Sequence, residues 1–136
     1  MISHTTRIRV LYGHTDQMSI VYYGRYYEYF EAGRNELLRE LNLPYYRMEN
    51  SGLMLPVIES HANYKGSFKY DDWVNVKTIV KEIPTVKIRI DYELTNDKGE
   101  LLVTGHTIHV FVSNETRKPV KVPKEISDVF EAKFGG

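Results

Sequence analysis

Residues 22–43 read YYGRYYEYFEAGRNELLRELNL. Tyr23, Tyr26, Phe30, Gly33, Leu37 and Leu41 recur at three- and four-residue spacing, while Arg25, Glu28, Asn35 and Arg39 take the opposite side. This spacing predicts one long amphipathic helix over about 23–41, which Pro44 keeps from continuing. Its apolar girth is broad and strongly aromatic, so the helix calls for a surface that wraps it rather than one that merely touches it.

Outward from the helix, the chain reads as strands. Upstream, Ile8, Val10 and Tyr12 alternate with Arg7 and Arg9, the period of a half-buried strand over about 5–13. Downstream, four consecutive strands are expected over 53–65, 72–83, 85–95 and 100–113. In the third of these Ile88, Ile90, Tyr92 and Leu94 face one way and Lys87, Arg89, Asp91 and Glu93 the other, as in an antiparallel strand with one wet face. The residues Asn96-Asp97-Lys98-Gly99 form a hairpin turn with glycine where positive φ is wanted. A short amphipathic helix over about 123–133 closes the chain. The fold class is α+β: one long helix wrapped by an antiparallel sheet of about five strands. With 136 residues and no linker, low-complexity segment or repeat, the sequence predicts a single domain over 1–136.

Composition removes several function classes. Lysine plus arginine (18) cancels aspartate plus glutamate (18), so no net field favours nucleic acid or an anionic membrane. The absence of cysteine excludes disulfides, thiol catalysis and thiolate metal sites, and is compatible with a reducing cytoplasm. The opening MISHTTRIRV lacks an apolar signal core, and the longest apolar stretch, residues 53–58, is far shorter than the ~20 residues of a membrane span. No nucleotide-binding glycine loop and no GxSxG esterase elbow occurs. His106 and His109 lie three apart in an expected strand, hence on opposite faces, and His4, His14 and His61 are scattered; no structural metal and no cofactor are expected. Of the 11 tyrosines, Tyr12, Tyr22, Tyr23, Tyr26, Tyr27 and Tyr29 cluster around the helix start, and such amphipathic rings often line ligand sites.

Asp16 sits in the polar loop GHTDQMS, a few residues ahead of the helix whose first amide N–H groups are unpaired and carry the positive dipole end. On spacing alone it fits two roles, a turn or capping residue and a carboxylate beside a ready-made oxyanion site.

The segment YGHTDQMSIVYYGRYYEYFEAGR resembles the signature of the hot-dog-fold acyl-CoA thioesterases of the 4-hydroxybenzoyl-CoA thioesterase type, including the Tol-Pal-associated branch. The family pattern is an aspartate, a glycine three residues on, a valine two further, and a tyrosine ten after the aspartate. Here Asp16, Val21 and Tyr26 match, Ser19 replaces the glycine, and Tyr23 stands where many Tol-Pal-associated members have histidine. The segments LPVIESHANYKGSFKYDDWVNVKT and TGHTIHVFV are similar to the family's later strands, so the resemblance covers nearly the whole chain.

The resemblance implies hydrolysis of an acyl-CoA thioester, with Asp16 as nucleophile or general base and the Tyr23 backbone N–H as oxyanion donor. Tyr26 and Glu31 are implied at the substrate pocket; on the residues alone, Tyr26 fits core packing and Glu31 fits an ion pair with Arg34. Thr85, Val86, Lys87 and Arg89 are implied along the pantetheine arm and CoA phosphates, against the plain reading of a solvated strand face; Arg117 and Lys118 are a second choice. The family's site is built across a dimer interface, so a homodimer or homotetramer acting in the cytoplasm is expected. A hot-dog dehydratase and a non-catalytic acyl-thioester-binding protein are the alternative readings, the former generally needing a histidine paired with a carboxylate.

Overall fold

The computed structural model describes residues 1–135. The long helix, α1, spans Arg25–Glu40. The strands are β1 (Ile2–Arg9), β2 (Leu53–Met54), β3 (Val57–Tyr64), β4 (Trp73–Val80), β5 (Lys87–Thr95), β6 (Leu101–Val110) and β7 (Val112–Ser113), joined by the short α2 (Tyr45–Asn50) and the closing α3 (Lys124–Gly135). Five strands form one sheet in the order β1-β4-β5-β6-β3, every pairing antiparallel. β2 and β7 make a separate two-stranded ladder. The helix lies on the inner face against β1, β4 and β5, giving the wrapped-helix architecture expected of the sequence.

The alternation expected of β5 is present: Ile88, Ile90, Tyr92 and Leu94 are buried while Lys87 and Arg89 are exposed. The hairpin after it is also present, with Gly99 at φ +83° and the Asn96 carboxamide accepting from the Lys98 and Glu100 N–H groups. The strand limits differ from the sequence reading, because pairing rather than periodicity ends a strand. β1 is paired with β4 from Ile2 opposite Val80 to Arg9 opposite Trp73, so the expected strand 5–13 becomes Ile2–Arg9. Tyr12–His14 then form a 3-10 turn. The expected strand 53–65 is divided at Pro56, which has no N–H to give a ladder. The expected strand 100–113 breaks at Phe111: the run up to it stays in register with β5, Phe111 N–H still donating to the Val86 carbonyl, whereas Val112 and Ser113 pair with β2 instead. α2 was not expected; only Met48 of its six residues is buried, too few to register as a period.

Two glycines set the distance between helix and sheet. A Cβ on Gly33 would lie 2.5 Å from Thr78 Oγ1 and 2.6 Å from Val76 Cγ1; one on Gly105 would lie 2.6 Å from both the His61 carbonyl and the Phe30 ring. Without those Cβ atoms Phe30 stacks face-on to Tyr92, ring centroids 4.4 Å apart, and is fully buried. Gly105→Ala is expected to destabilise by about 1–3 kcal/mol through overpacking against a backbone carbonyl that cannot yield. A denaturant midpoint unchanged from the parent would contradict this.

Candidate active site

The loop before α1 folds back on itself. Tyr22 N–H donates to the His14 carbonyl and Asp16 N–H to the Ile20 carbonyl, both at 2.9 Å, while Val21 N–H donates to Phe68 O and pins the loop to the segment leading into β4. This sets residues 14–16 beside 20–22, immediately ahead of the helix. Asp16 is half-buried; its Oδ1 accepts the Met18 N–H at 2.8 Å, and its Oδ2 has no hydrogen-bond partner among the described residues. Asp16 is thus an Asx-turn residue and also presents a free carboxylate oxygen. Both roles open on the sequence are compatible with one conformation.

Ser19 adopts φ +64°, the left-handed region in which glycine is free of strain. α1 begins after Gly24 with no side-chain cap, so Ser19 bends the loop and does not cap the helix. Arg25 N–H donates to Tyr22 O and Tyr26 N–H to Tyr23 O; the Tyr23 and Gly24 N–H groups have no acceptor among the described residues. These donors stand at the positive end of α1, the arrangement that stabilises an oxyanion.

Aromatic rings surround the donors. The Tyr23 side chain is 54% exposed and lies 4.8 Å from the Tyr64 ring, whereas Tyr26 is buried and packs on Tyr29, Tyr64 and Phe68. Phe68 N–H donates to the Tyr26 hydroxyl at 3.4 Å. Burial pushes this hydroxyl above its ordinary pKa, partly offset by the Phe68 N–H, and the negative charge of Asp16 adds to the rise. Tyr26 therefore stays neutral and forms wall rather than surface.

His14, which the sequence did not single out, holds the loop. Its Nδ1 accepts from Leu11 N–H at 3.2 Å and lies 2.9 Å from the Tyr29 hydroxyl. Burial drives the Tyr29 hydroxyl well above its ordinary value, so it donates. Arg25 grips both Glu28 carboxylate oxygens at 3.0 Å and ties the first helical turn together.

The remaining expected residues fall elsewhere. Lys87 and Arg89 border a surface cleft of about 420 Å³ with Thr85, Lys81 and Ile108; Val86 adjoins it, its carbonyl held by Phe111 N–H. Arg89 is partly neutralised by Asp91 at 3.2 Å. Asp16 lies near the start of β4 and this cleft near its end, about 23 Å apart along the strand at ~3.3 Å per residue. One chain does not bring Asp16 together with Lys87 and Arg89. Glu31 borders a third place, a cavity of about 210 Å³ with Arg34, Asn35, Leu38, Leu55 and His109. The Glu31–Arg34 ion pair is absent; Arg34 instead donates to the Tyr92 hydroxyl. Arg117 turns to Met54 and does not border the cleft. His109 is buried and His106 half-buried on the other face, stacked on His61. Among the described residues no three histidine, aspartate or glutamate side chains are grouped to hold a metal, and no helix is long and apolar enough to cross a membrane.

A wrapped helix with a carboxylate at its positive end defines a class, and comparison with known proteins gives the family. Residues 10–130 match the thioesterase-like superfamily, and the chain belongs to it. It is 33% identical over 121 residues to a putative acyl-CoA thioesterase, YneP, of Bacillus subtilis, covering 89% of this chain and 88% of that one. It is 32% identical to the acyl-CoA thioesterase YbgC of Haemophilus influenzae, covering 90% of each. A crystal structure of a DHNA-CoA thioesterase from Staphylococcus aureus superposes with a TM-score of 0.91 at 35% identity, covering 99% of this chain and 91% of that one.

The left-handed conformation of Ser19 yields a stability test. Ser19→Gly relieves a backbone strain of about 1–2 kcal/mol but loosens the unfolded chain. A net gain of up to about 1 kcal/mol is expected, read as a higher Tm; a fall in Tm would show that the serine side chain holds the loop.

Proposed function

We propose that this chain is an acyl-CoA thioester hydrolase, releasing CoA and a free acid, with Asp16 as the reacting carboxylate and the Tyr23 and Gly24 N–H groups as oxyanion donors. The observation that carries the reading is a free carboxylate oxygen set beside unpartnered donors at the positive end of α1. Asp16 attacks the carbonyl carbon, or removes a proton from a water that does; in either route the carbonyl oxygen takes up charge that the helix start stabilises and the CoA thiolate leaves, and in the first route water then opens the acyl–Asp16 anhydride to the free acid and the aspartate. Relatives named acyl-CoA thioesterases at 32–33% identity support the substrate class. His14, the histidine nearest Asp16 in sequence, has its Nδ1 occupied by Leu11 and Tyr29, which disfavours a histidine–carboxylate dehydratase.

Asp16→Asn is expected to lower kcat on the order of a thousandfold or more, with the stability change within ~1 kcal/mol. The amide oxygen still accepts the Met18 N–H, so the turn survives while the charge is lost. Thiol release from an acyl-CoA panel and Tm on the same preparation decide it. A stable variant with near-parental kcat removes Asp16 from the reaction, and saturable binding without thiol release by the parent chain indicates a non-catalytic binding protein. Single turnover in 18O-labelled water reports attack by Asp16 when the anhydride opens at the aspartyl carbon, since only that course leaves label in its carboxylate.

The proposal includes a homodimer, or a homotetramer built from it, with the active site shared between chains and acting in the cytoplasm. β3 is an unpaired sheet edge with Val57, Ile58 and Tyr64 exposed, a surface that proteins cover. Its Tyr64 end packs on Tyr23 and its Val57 end pairs near Lys87 through β6. Antiparallel pairing of two β3 edges about a two-fold sets the Asp16 end of one chain against the Lys87 and Arg89 end of the other. Mixing Asp16→Asn with a Lys87→Glu, Arg89→Glu chain is then expected to restore about a quarter of parental activity, since half the dimers are mixed and each has one intact site. No recovery among demonstrably mixed dimers would refute the shared site.

A further inference from the structure

The Asp16 carboxylate stands on a stretch of chain that packing does not hold. No residue from Leu11 to Ile20 is buried, and Leu11, Tyr12 and Met18 are 59%, 76% and 77% exposed. Apolar burial therefore contributes little to where this stretch sits, and hydrogen bonds must place it.

The bonds divide the loop into two unequal arms. Residues 14–16 pair with 20–22 as a short antiparallel ladder, through Tyr22 N–H to the His14 carbonyl, the Thr15–Val21 bridge and Asp16 N–H to the Ile20 carbonyl. The 20–22 arm is anchored outside the loop: Val21 is buried, its N–H donates to the Phe68 carbonyl, and Ile20 bridges to Lys69. The 14–16 arm, which contains Asp16, has one short side-chain bond to α1 among the described residues, from the Tyr29 hydroxyl to His14 Nδ1 at 2.9 Å. Arg25 reaches the Gly13 carbonyl only at 3.5 Å, outside the usual N–H···O range.

Tyr29 is a fixed point. It is 3% exposed in the second turn of α1 and packs edge-on against both Tyr26 and the His14 ring. A buried hydroxyl without a partner is costly, and among the described residues His14 Nδ1 is its partner. Burial raises the hydroxyl above its ordinary pKa, so it keeps the proton it gives. On the other side Leu11 N–H, which can only donate, meets the same nitrogen at 3.2 Å. The imidazole is thus an acceptor between an amide of the exposed arm and a hydroxyl of the buried helix. Its own carbonyl holds Tyr22, the residue before the Tyr23 oxyanion donor.

We propose that His14 is a positioning residue for the reaction: through the Tyr29 hydroxyl it sets the Asp16 carboxylate at its working distance from the Tyr23 and Gly24 N–H groups, without itself touching the substrate. The inference rests on the thioester-hydrolase reading of Asp16. An arm held by hydrogen bonds alone loses its place when the anchoring one is removed, and a carboxylate displaced by about 1 Å reacts on the order of a hundredfold more slowly.

Three variants test this. Tyr29→Phe removes one oxygen and leaves the buried ring, so the helix still packs. His14→Leu removes the acceptor, and His14→Asn returns one, its Oδ1 standing close to the place of Nδ1. Thiol release from one acyl-CoA gives kcat and KM for each, in the parent chain and again in an Asp16→Asn chain. Tyr29→Phe and His14→Leu are each expected to lower kcat by about ten- to a hundredfold with KM within about twofold of the parent. His14→Asn should recover most of the loss, and the Tyr29→Phe, His14→Leu double variant should be no slower than the slower single one, since both break one unit. In the Asp16→Asn chain the same substitutions should cost less than about twofold, because a carboxylate that is gone has no position to lose. A smaller folded fraction would instead lower both backgrounds by one factor. Parental kcat in Tyr29→Phe, a rise in KM alone, no recovery in His14→Asn, or an equal fall in both backgrounds would overturn the positioning role while leaving the hydrolase reading intact. No thiol release by the parent chain, or near-parental kcat in Asp16→Asn, would remove the hydrolase reading and this inference with it.

Discussion

The closeness of α1 to the sheet is the constraint on which the remaining structure depends. Gly33 and Gly105 remove the two Cβ atoms that would hold the layers apart, and Phe30 fills the space between them by stacking on Tyr92. Such a ring pair contributes about 0.5–1.5 kcal/mol beyond the burial of its area. Its larger effect is positional, because it sets where the helix axis lies over β4 and β5. The helix start, with its unpartnered N–H groups, is then directed at the loop that contains Asp16. Tyr26, buried one turn earlier, joins the same layer to Phe68 and so to the segment that clamps the loop.

Charge is distributed along this scaffold in a way that the zero net charge conceals. At the helix start the free groups are one carboxylate oxygen and two amide donors. At the far end of the sheet, Lys81, Lys87 and Arg89 border the cleft together with Glu82 and Asp91. Between them on the helix flank, Glu31 and Arg34 share a cavity without pairing. Among the described residues each charged group at these places lacks a close counter-ion or is only half neutralised, unlike the Arg7–Asp97 and Arg9–Asp71 pairs that flank Trp73 on the outer face.

The buried polar chain from Arg34 through Tyr92, Thr107 and His109 to the Leu55 carbonyl crosses an otherwise apolar core. A buried hydroxyl or imidazole without a partner is costly, so such a chain is tolerable only when each member is satisfied. Here Tyr92, Thr107 and His109 satisfy one another in sequence. Thr78 Oγ1, close against Gly33, remains buried without a partner, and it lies where the helix approaches most tightly.

The sequence by itself determined what depends on neighbours along the chain. The helix over 23–41, the inward row of β5, the Asn96–Gly99 turn and the opposite faces of His106 and His109 all follow from spacings of two to four residues. The Asp16 motif was equally legible, and so was its resemblance to a family, because loop and helix start are contiguous. Tertiary structure alone decided the rest. Strand ends were set by partners: β1 stops opposite the first residue of β4, and Pro56 and Phe111 divide runs that periodicity joins. The left-handed backbone of Ser19 comes from the bonds that fold its loop onto Phe68. Arg34, Leu55, Tyr92, Thr107 and His109 meet although up to 75 positions separate them in the numbering, and Arg34 thereby turns away from the Glu31 pairing that helical spacing allows. The separation of Lys87 and Arg89 from Asp16 is likewise invisible in sequence, since the distance between two ends of a sheet is fixed by pairing register, a property no single strand contains.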